Sequence, residues 1–230
     1  MPQDYTSLEE RIGAHFKNTD LLTQAFVHRS YLNENPTFAL GHNERLEFLG
    51  DAVLELVVTE YLYNHYDNSE GELTNWRAAL VNATMLARVA EEMDMEPFLL
   101  LSRGESRDGS SKARQSILAN TVESVIGALY LDQGYEPCRH FISIAILKHL
   151  DEILDKKLYR DPKSSLQEEA QARMGATPAY RVLDETGPDH KRTFVIGVYI
   201  GEQLVAKGHG TSKQEAQVAA AEGALKEKGW

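Results

Sequence analysis

Cysteine is almost absent from this sequence, since Cys138 is the only one among 230 residues. A single cysteine excludes an intramolecular disulfide, so the chain suits a reducing compartment. The residues around it, Tyr135-Glu136-Pro137-Cys138-Arg139, have no metal-ligand spacing. We therefore interpret the thiol as an ordinary core or surface side chain.

Long hydrophobic runs are also missing. No stretch approaches the roughly 20 apolar residues that a membrane-spanning helix needs. Residues 1–10 are polar and acidic and lack the apolar segment of a signal peptide. We expect no membrane partner and a cytoplasmic location.

Positive charge is scarce, with 24 Lys and Arg against 35 Asp and Glu, a net charge of −11 and a pI near 5.2. Taken alone, this balance argues against a nucleic-acid partner, because phosphate binding relies on Lys and Arg. The distribution of charged residues along the chain weakens that objection. Residues 1–160 carry 15 basic and 25 acidic residues, a net of −10, whereas residues 161–230 carry 9 and 10, a net of −1.

The pattern of apolar residues changes near Asp161-Pro162, which can start a helix with an N-cap acid and a proline. Before it, apolar residues recur at helical spacing from Leu8 to Leu158. After it, we predict a helix over 162–174, strands over 179–184, 192–200 and 203–207, and a helix over 212–228. The chain therefore divides into an all-α domain at 1–158 and an α+β (α-β-β-β-α) domain at 162–230.

Three carboxylates stand close together in the first domain, in the run 42–51 of a predicted helix. Glu44, Glu47 and Asp51 are spaced i, i+3, i+7 and so project from one helix face. Like charges arranged this way repel one another unless a cation lies among them, and oxygen ligands favour Mg²⁺ or Mn²⁺. The alternative is a solvated acidic face partly neutralised by Arg45.

A second helix, at 116–130, is almost entirely apolar or small yet carries Asn120 and Glu123. A lone glutamate there would be desolvated at a cost of several kcal/mol unless it is paired or metal-bound. Two helices that each offer oxygen ligands can build a metal site in a bundle core. The alternative is that Glu123 bonds to an arginine or to solvent at the edge of the bundle.

These segments resemble the two signature segments of bacterial ribonuclease III. The likeness rests on 44–51, 116–123 and 127–132, and it extends to the early helix at 25–31 and the dimer-forming region at 71–81. The C-terminal part resembles a double-stranded-RNA-binding domain. The resemblance covers nearly the whole chain in the family's usual order.

The resemblance implies a Mg²⁺-dependent endonuclease, with Mn²⁺ as an alternative ion. Glu47, Asp51, Asn120 and Glu123 would be the metal ligands, and Asp51 and Glu123 the main catalytic residues. It implies a homodimer that cuts both strands of double-stranded RNA in rRNA and mRNA processing and leaves 5′-phosphate and 3′-hydroxyl ends. Glu44, as a rim residue, and Glu70, reaching towards the partner subunit's cleft, would be auxiliary.

The second domain would contact RNA at three places, because such domains read the shape of an A-form duplex across two minor grooves. The resemblance assigns Gln167 and Glu168 to the first contact and His190, in the loop 187–190, to the second. Ser212 and Lys213 would form the third, with free backbone N–H groups that face phosphate. Further phosphate contacts are expected from Arg103 and Arg107, in an exposed loop at 102–111, and from Lys112 and Arg114 just after it. For any one of these residues, an ordinary solvated side chain without RNA contact is an equal alternative.

Two other functions fit parts of the sequence. Asn120 lacks the negative charge that close relatives often carry there, so the chain could be a weakened or silent double-stranded-RNA-binding protein. The presence of Glu47, Asp51 and Glu123 argues against a lapsed site. A metal-dependent hydrolase of small nucleotides is disfavoured by the second domain.

Overall fold

The computed structural model describes residues 3–107, 111–188 and 192–230. The chain splits into two compact units, and the break lies between Tyr159 and Arg160. The first unit is helical, and the second has the order helix, three strands, helix. This confirms the fold class expected from the sequence.

Ten α-helices occur in the described part of the first unit, with short 3₁₀ turns at Glu96–Phe98 and Leu147–His149. The helices are α1 Thr6–Ile12, α2 Thr19–Ala25, α3 Arg29–Glu34, α4 Glu44–His65, α5 Glu70–Val81, α6 Ala83–Glu92, α7 Arg103–Arg107, α8 Ser111–Gln133, α9 Tyr135–Ala145 and α10 Leu150–Asp155.

Helix α8 forms the centre of this unit because its sequence is apolar on every side. It packs against α2, α4, α6 and α9, and its residues from Ile117 to Leu129 are buried except for the partly exposed Asn120 and Glu123. Its two buried hydroxyl groups are satisfied locally: Thr121 donates to the carbonyl of Ile117 and Ser124 to that of Asn120, both at 2.7 Å.

Helices α4 and α8 cross with their backbones in contact. A Cβ atom added to Gly50 would lie 1.7 Å from the carbonyl oxygen of Glu123, and one added to Gly127 would lie 2.1 Å from that of Leu46. Only glycine fits at either position, because no backbone can move aside as a flexible side chain would. The crossing places Glu123 beside the turn of α4 that carries Glu47 and Asp51.

The segment before α8 differs from the exposed loop expected at 102–111. Residues Arg103–Arg107 form helix α7, and the Ser102 hydroxyl accepts the backbone N–H of Glu105 at 3.2 Å. The glycine and serine content suggested a loop, but a serine that caps a helix gives the same local signal.

The second unit consists of α11 Pro162–Met174, β1 Pro178–Thr186, β2 Thr193–Ile200, β3 Gln203–Gly210 and α12 Lys213–Lys228. The strands form an antiparallel sheet in the order β1-β2-β3, with a two-residue turn at Gly201-Glu202. The strands run further than predicted at β1 and β3, because the pairing continues through polar and glycine residues that do not alternate in hydropathy.

Helix α12 lies directly on β3. A Cβ atom at Gly208 would lie 2.2 Å from the backbone of both Ala216 and Ala220. Alanines of α12 complete this core together with Leu166 of α11 and Val198 of β2. Small residues on both elements therefore set a close helix-to-sheet distance.

Cys138 is fully buried in the helical unit, and burial raises the pKa of its thiol to about 12. It is thus a core residue, as one of the two interpretations of the sequence allowed. No helix in the described ranges is both long enough and apolar enough to cross a bilayer.

The glycine crossing yields a stability prediction. We expect Gly50→Ala to lower the free energy of unfolding of the helical unit by about 3 kcal/mol or more, as overpacking against backbone does. Gly71→Ala is the matched control, since Gly71 also lies within a helix but has nothing within 4 Å of an added Cβ. Because alanine has a higher helix propensity than glycine, Gly71→Ala should raise the free energy of unfolding by about 0.5–1 kcal/mol.

Urea denaturation followed by circular dichroism measures both variants. Equal changes in the free energy of unfolding for the two variants would show that the helix crossing has room for a Cβ atom at Gly50.

Candidate active site and RNA-binding surface

The predicted catalytic carboxylates lie on the two crossing helices. Glu47 and Asp51 belong to α4, and Glu123 belongs to α8. Asp51 is exposed, whereas Glu47 and Glu123 are partly buried. The sequence predicted this juxtaposition, and the glycine crossing is the local reason for it.

Electrostatic interactions connect the three carboxylates. Burial raises the pKa of Glu123 to about 7, and the negative charges of Asp51 and then Glu47 add to that shift. Burial also raises the pKa of Glu47, with repulsion from Glu44 and Asp51, while a side-chain hydrogen bond from Asn120 lowers it in part. No positive group among the described residues offsets the rise in the pKa of Glu123.

The chemistry of this donor set fits a divalent cation. Carboxylate and amide oxygens are hard ligands, and a cation among them would relieve the repulsion that raises both pKa values. Within the described ranges, however, no three His, Cys, Asp or Glu side chains form a complete metal-ligand group by themselves. The ligand set Glu47, Asp51, Asn120 and Glu123 therefore stays a prediction.

Glu44 is held by a residue that the sequence analysis did not single out. Its carboxylate accepts a hydrogen bond from Arg29 Nη2 at 2.6 Å and lies 3.7 Å from His42 Nδ1. Arg45, which the alternative interpretation has partly neutralising a solvated acidic face, is exposed and forms no ion pair in the described part of the chain. Its side chain leaves the helix on the solvent side.

Glu70 is the first residue of α5, whose start is fixed by a capping box. The Ser69 hydroxyl accepts the backbone N–H of Glu72, and the Glu72 carboxylate accepts that of Ser69 at 3.1 Å. Glu70 is exposed and lines a surface cavity of about 730 Å³ together with Tyr63 and Tyr66. This helix end therefore presents its carboxylate to solvent.

The predicted RNA contacts occupy helix positions of the second unit. Gln167 and Glu168 are exposed on α11, Ser212 is the N-cap of α12, and Lys213 is its first residue. Lys213 Nζ lies 3.9 Å from a carboxylate oxygen of Glu185. His190 lies outside the described residues, so its role stays a prediction.

The N-terminus of α12 is less open than expected. The Ser212 hydroxyl accepts the backbone N–H of Glu215 at 3.2 Å, and the Glu215 carboxylate accepts the backbone N–H of Thr211 at 2.9 Å. The expectation of free N–H groups is therefore wrong for Glu215, because side chains cap the helix internally. The carboxylate of Glu215 therefore lies at Thr211, beside the helix end that was expected to face phosphate.

Gln217 likewise has an internal role. Its Oε1 accepts a hydrogen bond from Lys163 Nζ at 2.7 Å. This contact links α12 to α11, the two helices of the second unit.

Before Asn120, the side chain of Arg114 and the backbone of Arg103 are engaged within the protein. Arg114 pairs with Glu96 at 2.5 Å, and the backbone N–H of Arg103 donates to the carboxylate of Glu34 at 3.2 Å. Phosphate contact by Arg114 would thus require it to leave a carboxylate partner.

Sequence reasoning missed Gly50, Gly127 and Arg29. A glycine inside a helix costs about 1 kcal/mol relative to alanine, so two of them in the signature helices were a signal for close packing. Arg29 gave no signal of its own, because its partner Glu44 lies 15 residues away.

Comparison with known proteins bears on the whole chain. A family model described as Ribonuclease-III-like matches residues 18–150, and a double-stranded RNA binding motif matches residues 162–228. A protein named Ribonuclease 3 from Desulforamulus reducens is 44% identical over 219 residues, which cover 95% of this chain and 89% of that protein. Another from Syntrophomonas wolfei subsp. wolfei is 48% identical over 216 residues, 92% of this chain and 90% of that protein.

A solved structure agrees with these matches. The nuclease domain of ribonuclease III from Campylobacter jejuni is 38% identical, with a TM-score of 0.57, and the match covers 63% of this chain and 97% of that one. The chain therefore belongs to the ribonuclease III family. The resemblance inferred from the signature segments is confirmed.

The raised pKa of Glu123 predicts a pH-dependent change in stability. This carboxyl group has a pKa near 7 in the folded state and 4.5 when unfolded. It imposes no penalty on stability below the lower value. The penalty builds as pH rises from the lower value through the higher one. In metal-free buffer, Glu123→Gln should raise the free energy of unfolding at about pH 8 by about 1–2 kcal/mol, allowing for solvent screening. It should change little at about pH 4.5.

Chemical denaturation at the two pH values, with and without Mg²⁺, measures this difference. Glu91→Gln on α6 is the control, because Glu91 is exposed, and it should be neutral at both. Mg²⁺ should stabilise the wild-type protein more than Glu123→Gln, since a ligand stabilises the state it binds. A stabilisation by Glu123→Gln that is as large at the lower pH would contradict the interpretation.

Proposed function

We propose that this member of the ribonuclease III family is a double-stranded-RNA-specific endoribonuclease. The observation that carries the proposal is the carboxylate cluster on α4 and α8, in which Glu123 has no positive neighbour among the described residues and its pKa is raised to about 7. The C-terminal motif matched at 162–228 supplies the means to hold a duplex.

A divalent cation, Mg²⁺ or Mn²⁺, would be held by Glu47, Asp51, Glu123 and the amide oxygen of Asn120. When bound, it supplies positive charge for the attacking and leaving oxygens of a phosphodiester. Asn120 also favours the charged form of Glu47, because a side-chain hydrogen bond from it lowers the pKa of that carboxyl. Glu44, tied to Arg29 at 2.6 Å, lies on the rim where the RNA backbone would enter.

A homodimer is the proposed assembly. Helix α4 exposes three large side chains, since Phe48 is 81%, Leu56 57% and Tyr63 78% exposed. Leu131 of α8 adds to the exposed apolar surface at 55% and lines one cavity with Phe48. Apolar surface of this kind marks a protein interface, and the Campylobacter jejuni nuclease domain has a region involved in dimer formation.

Two cleavage sites in a dimer would cut both strands of one duplex. The products would carry 5′-phosphate and 3′-hydroxyl ends, and Glu70 of each protomer would reach towards the partner's cleft. Processing of rRNA and mRNA in the cytoplasm is the corresponding cellular role.

Removing one ligand tests the enzymatic proposal. Glu123→Gln should reduce the cleavage rate of a labelled RNA duplex by about 10³-fold or more, since loss of a ligand costs several kcal/mol of transition-state stabilisation. Duplex affinity should stay within about twofold, because the RNA-binding motif is untouched. Glu91→Gln, again the control, should cleave normally, and full turnover by Glu123→Gln in Mg²⁺ would refute the site.

Asn120 distinguishes an active enzyme from a silent RNA-binding protein. A neutral amide attracts a cation less than a carboxylate does, so Asn120→Asp should lower the Mg²⁺ concentration for half-maximal cleavage by roughly tenfold at a similar maximal rate. Metal titration of both proteins measures this. No cleavage by the Asn120 protein at any Mg²⁺ or Mn²⁺ level, with activity restored by aspartate, would instead establish the silent form.

A further inference from the structure

The three-stranded sheet has one covered and one open face. Residues of β2 alternate, and Phe194, Ile196, Val198 and Ile200 are buried on the helix side. Gly208 of β3, which pairs with Ile196, also faces α12. Residues one position away on each strand must therefore lie on the opposite face, because successive side chains point to opposite sides.

A cross-strand row on the open face brings two cations together. Arg181 of β1 pairs with Gly197 of β2, which pairs with Lys207 of β3. Because the middle member is a glycine, the ends of Leu183, Leu204 and Tyr199 lie over it, at 3.0, 2.8 and 3.2 Å from where a Cβ would be. The result is a shallow apolar surface with a positive group on each side.

The Arg181 guanidinium lies over an aromatic ring. Its guanidinium carbon lies 4.6 Å from the centroid of the Tyr199 ring, and the side chain is exposed. Neither Arg181 nor Lys207 has a carboxylate partner within the described ranges. The nearest acid in the register is Asp184, further along the sheet opposite Val195, and its carboxylate accepts the backbone N–H of Glu185 at 2.9 Å.

The open face leads towards the predicted duplex contact. Lys207 and His209 are exposed and two residues apart on β3, so both point outwards. The strand ends at Gly210, and Ser212 and Lys213 follow at the start of α12. A polynucleotide strand that leaves that helix end would contact His209 first and Lys207 next. It would then reach the Arg181 guanidinium, which lies over the Tyr199 ring.

We propose that this face binds a single-stranded RNA segment adjoining the duplex, with an unpaired base stacked on the Arg181 guanidinium and phosphate beside Lys207. Unpaired bases stack on guanidinium planes and aromatic rings, and Lys and Arg hold the backbone. A duplex alone offers no free base face, so the surface is selective for unpaired nucleotides. The proposal rests on the proposed function only in taking RNA as the ligand.

Binding of two RNAs by the full chain tests the proposal. In metal-free buffer, which prevents cleavage, a duplex with a 3′ or 5′ single-stranded tail of about ten nucleotides should bind about tenfold more tightly than the blunt duplex. Arg181→Ala should abolish this gain, and Lys207→Ala should reduce it. Arg181→Lys should also lose most of it, because lysine keeps the charge but lacks the planar group.

Lys226→Ala is the matched control. Lys226 is exposed on α12, on the covered side of the sheet. Its replacement removes the same charge, and we expect the tighter binding of the tailed duplex to be unchanged. Unchanged affinity for the blunt duplex shows that each variant is folded. Equal binding of blunt and tailed duplexes by the wild-type protein, or a gain that survives Arg181→Ala, overturns the proposal. Failure to bind the blunt duplex, or to cleave it once Mg²⁺ is added, would contradict the proposed function instead.

Discussion

Backbone contact between α4 and α8 is the constraint on which the helical unit depends. Gly50 and Gly127 allow it, since an added Cβ would lie 1.7 and 2.1 Å from the carbonyls of Glu123 and Leu46. With a larger residue, the helices would separate by the thickness of a side chain. Glu123 would then no longer share an electrostatic environment with Glu47 and Asp51. One pair of glycines thus sets both the core packing and the spacing of the acids.

The same proximity causes repulsion in the unliganded protein. Burial and two neighbouring carboxylates raise the pKa of Glu123 to about 7, so the native state is less stable than a neutral side chain would make it. The large apolar core around α8 compensates for this cost. The protein therefore loses stability at the cluster where we propose that a cation binds, a trade-off common at functional sites.

The fold class and the proximity of Glu47, Asp51 and Glu123 could be predicted because they leave local signals. Helical spacing, the Asp161-Pro162 start and strand alternation are all short-range patterns. Pairs of residues that are distant in sequence leave no local signal, because only folding brings them together. Three examples are Arg29 with Glu44, Arg114 with Glu96, and Lys163 with Gln217. Glu215 shows the same limit, because its carboxylate could have faced solvent or capped Thr211, and only the three-dimensional arrangement decides.

Cys138 has a practical consequence for studying the protein. The side chain is fully buried and its thiol pKa is about 12, so almost no thiolate is available to react with an alkylating reagent at neutral pH. The natural sequence already behaves as a cysteine-free background. A cysteine introduced on an exposed helix of either unit would be the single reactive thiol, and a fluorophore or spin label could be attached there without first removing a native residue.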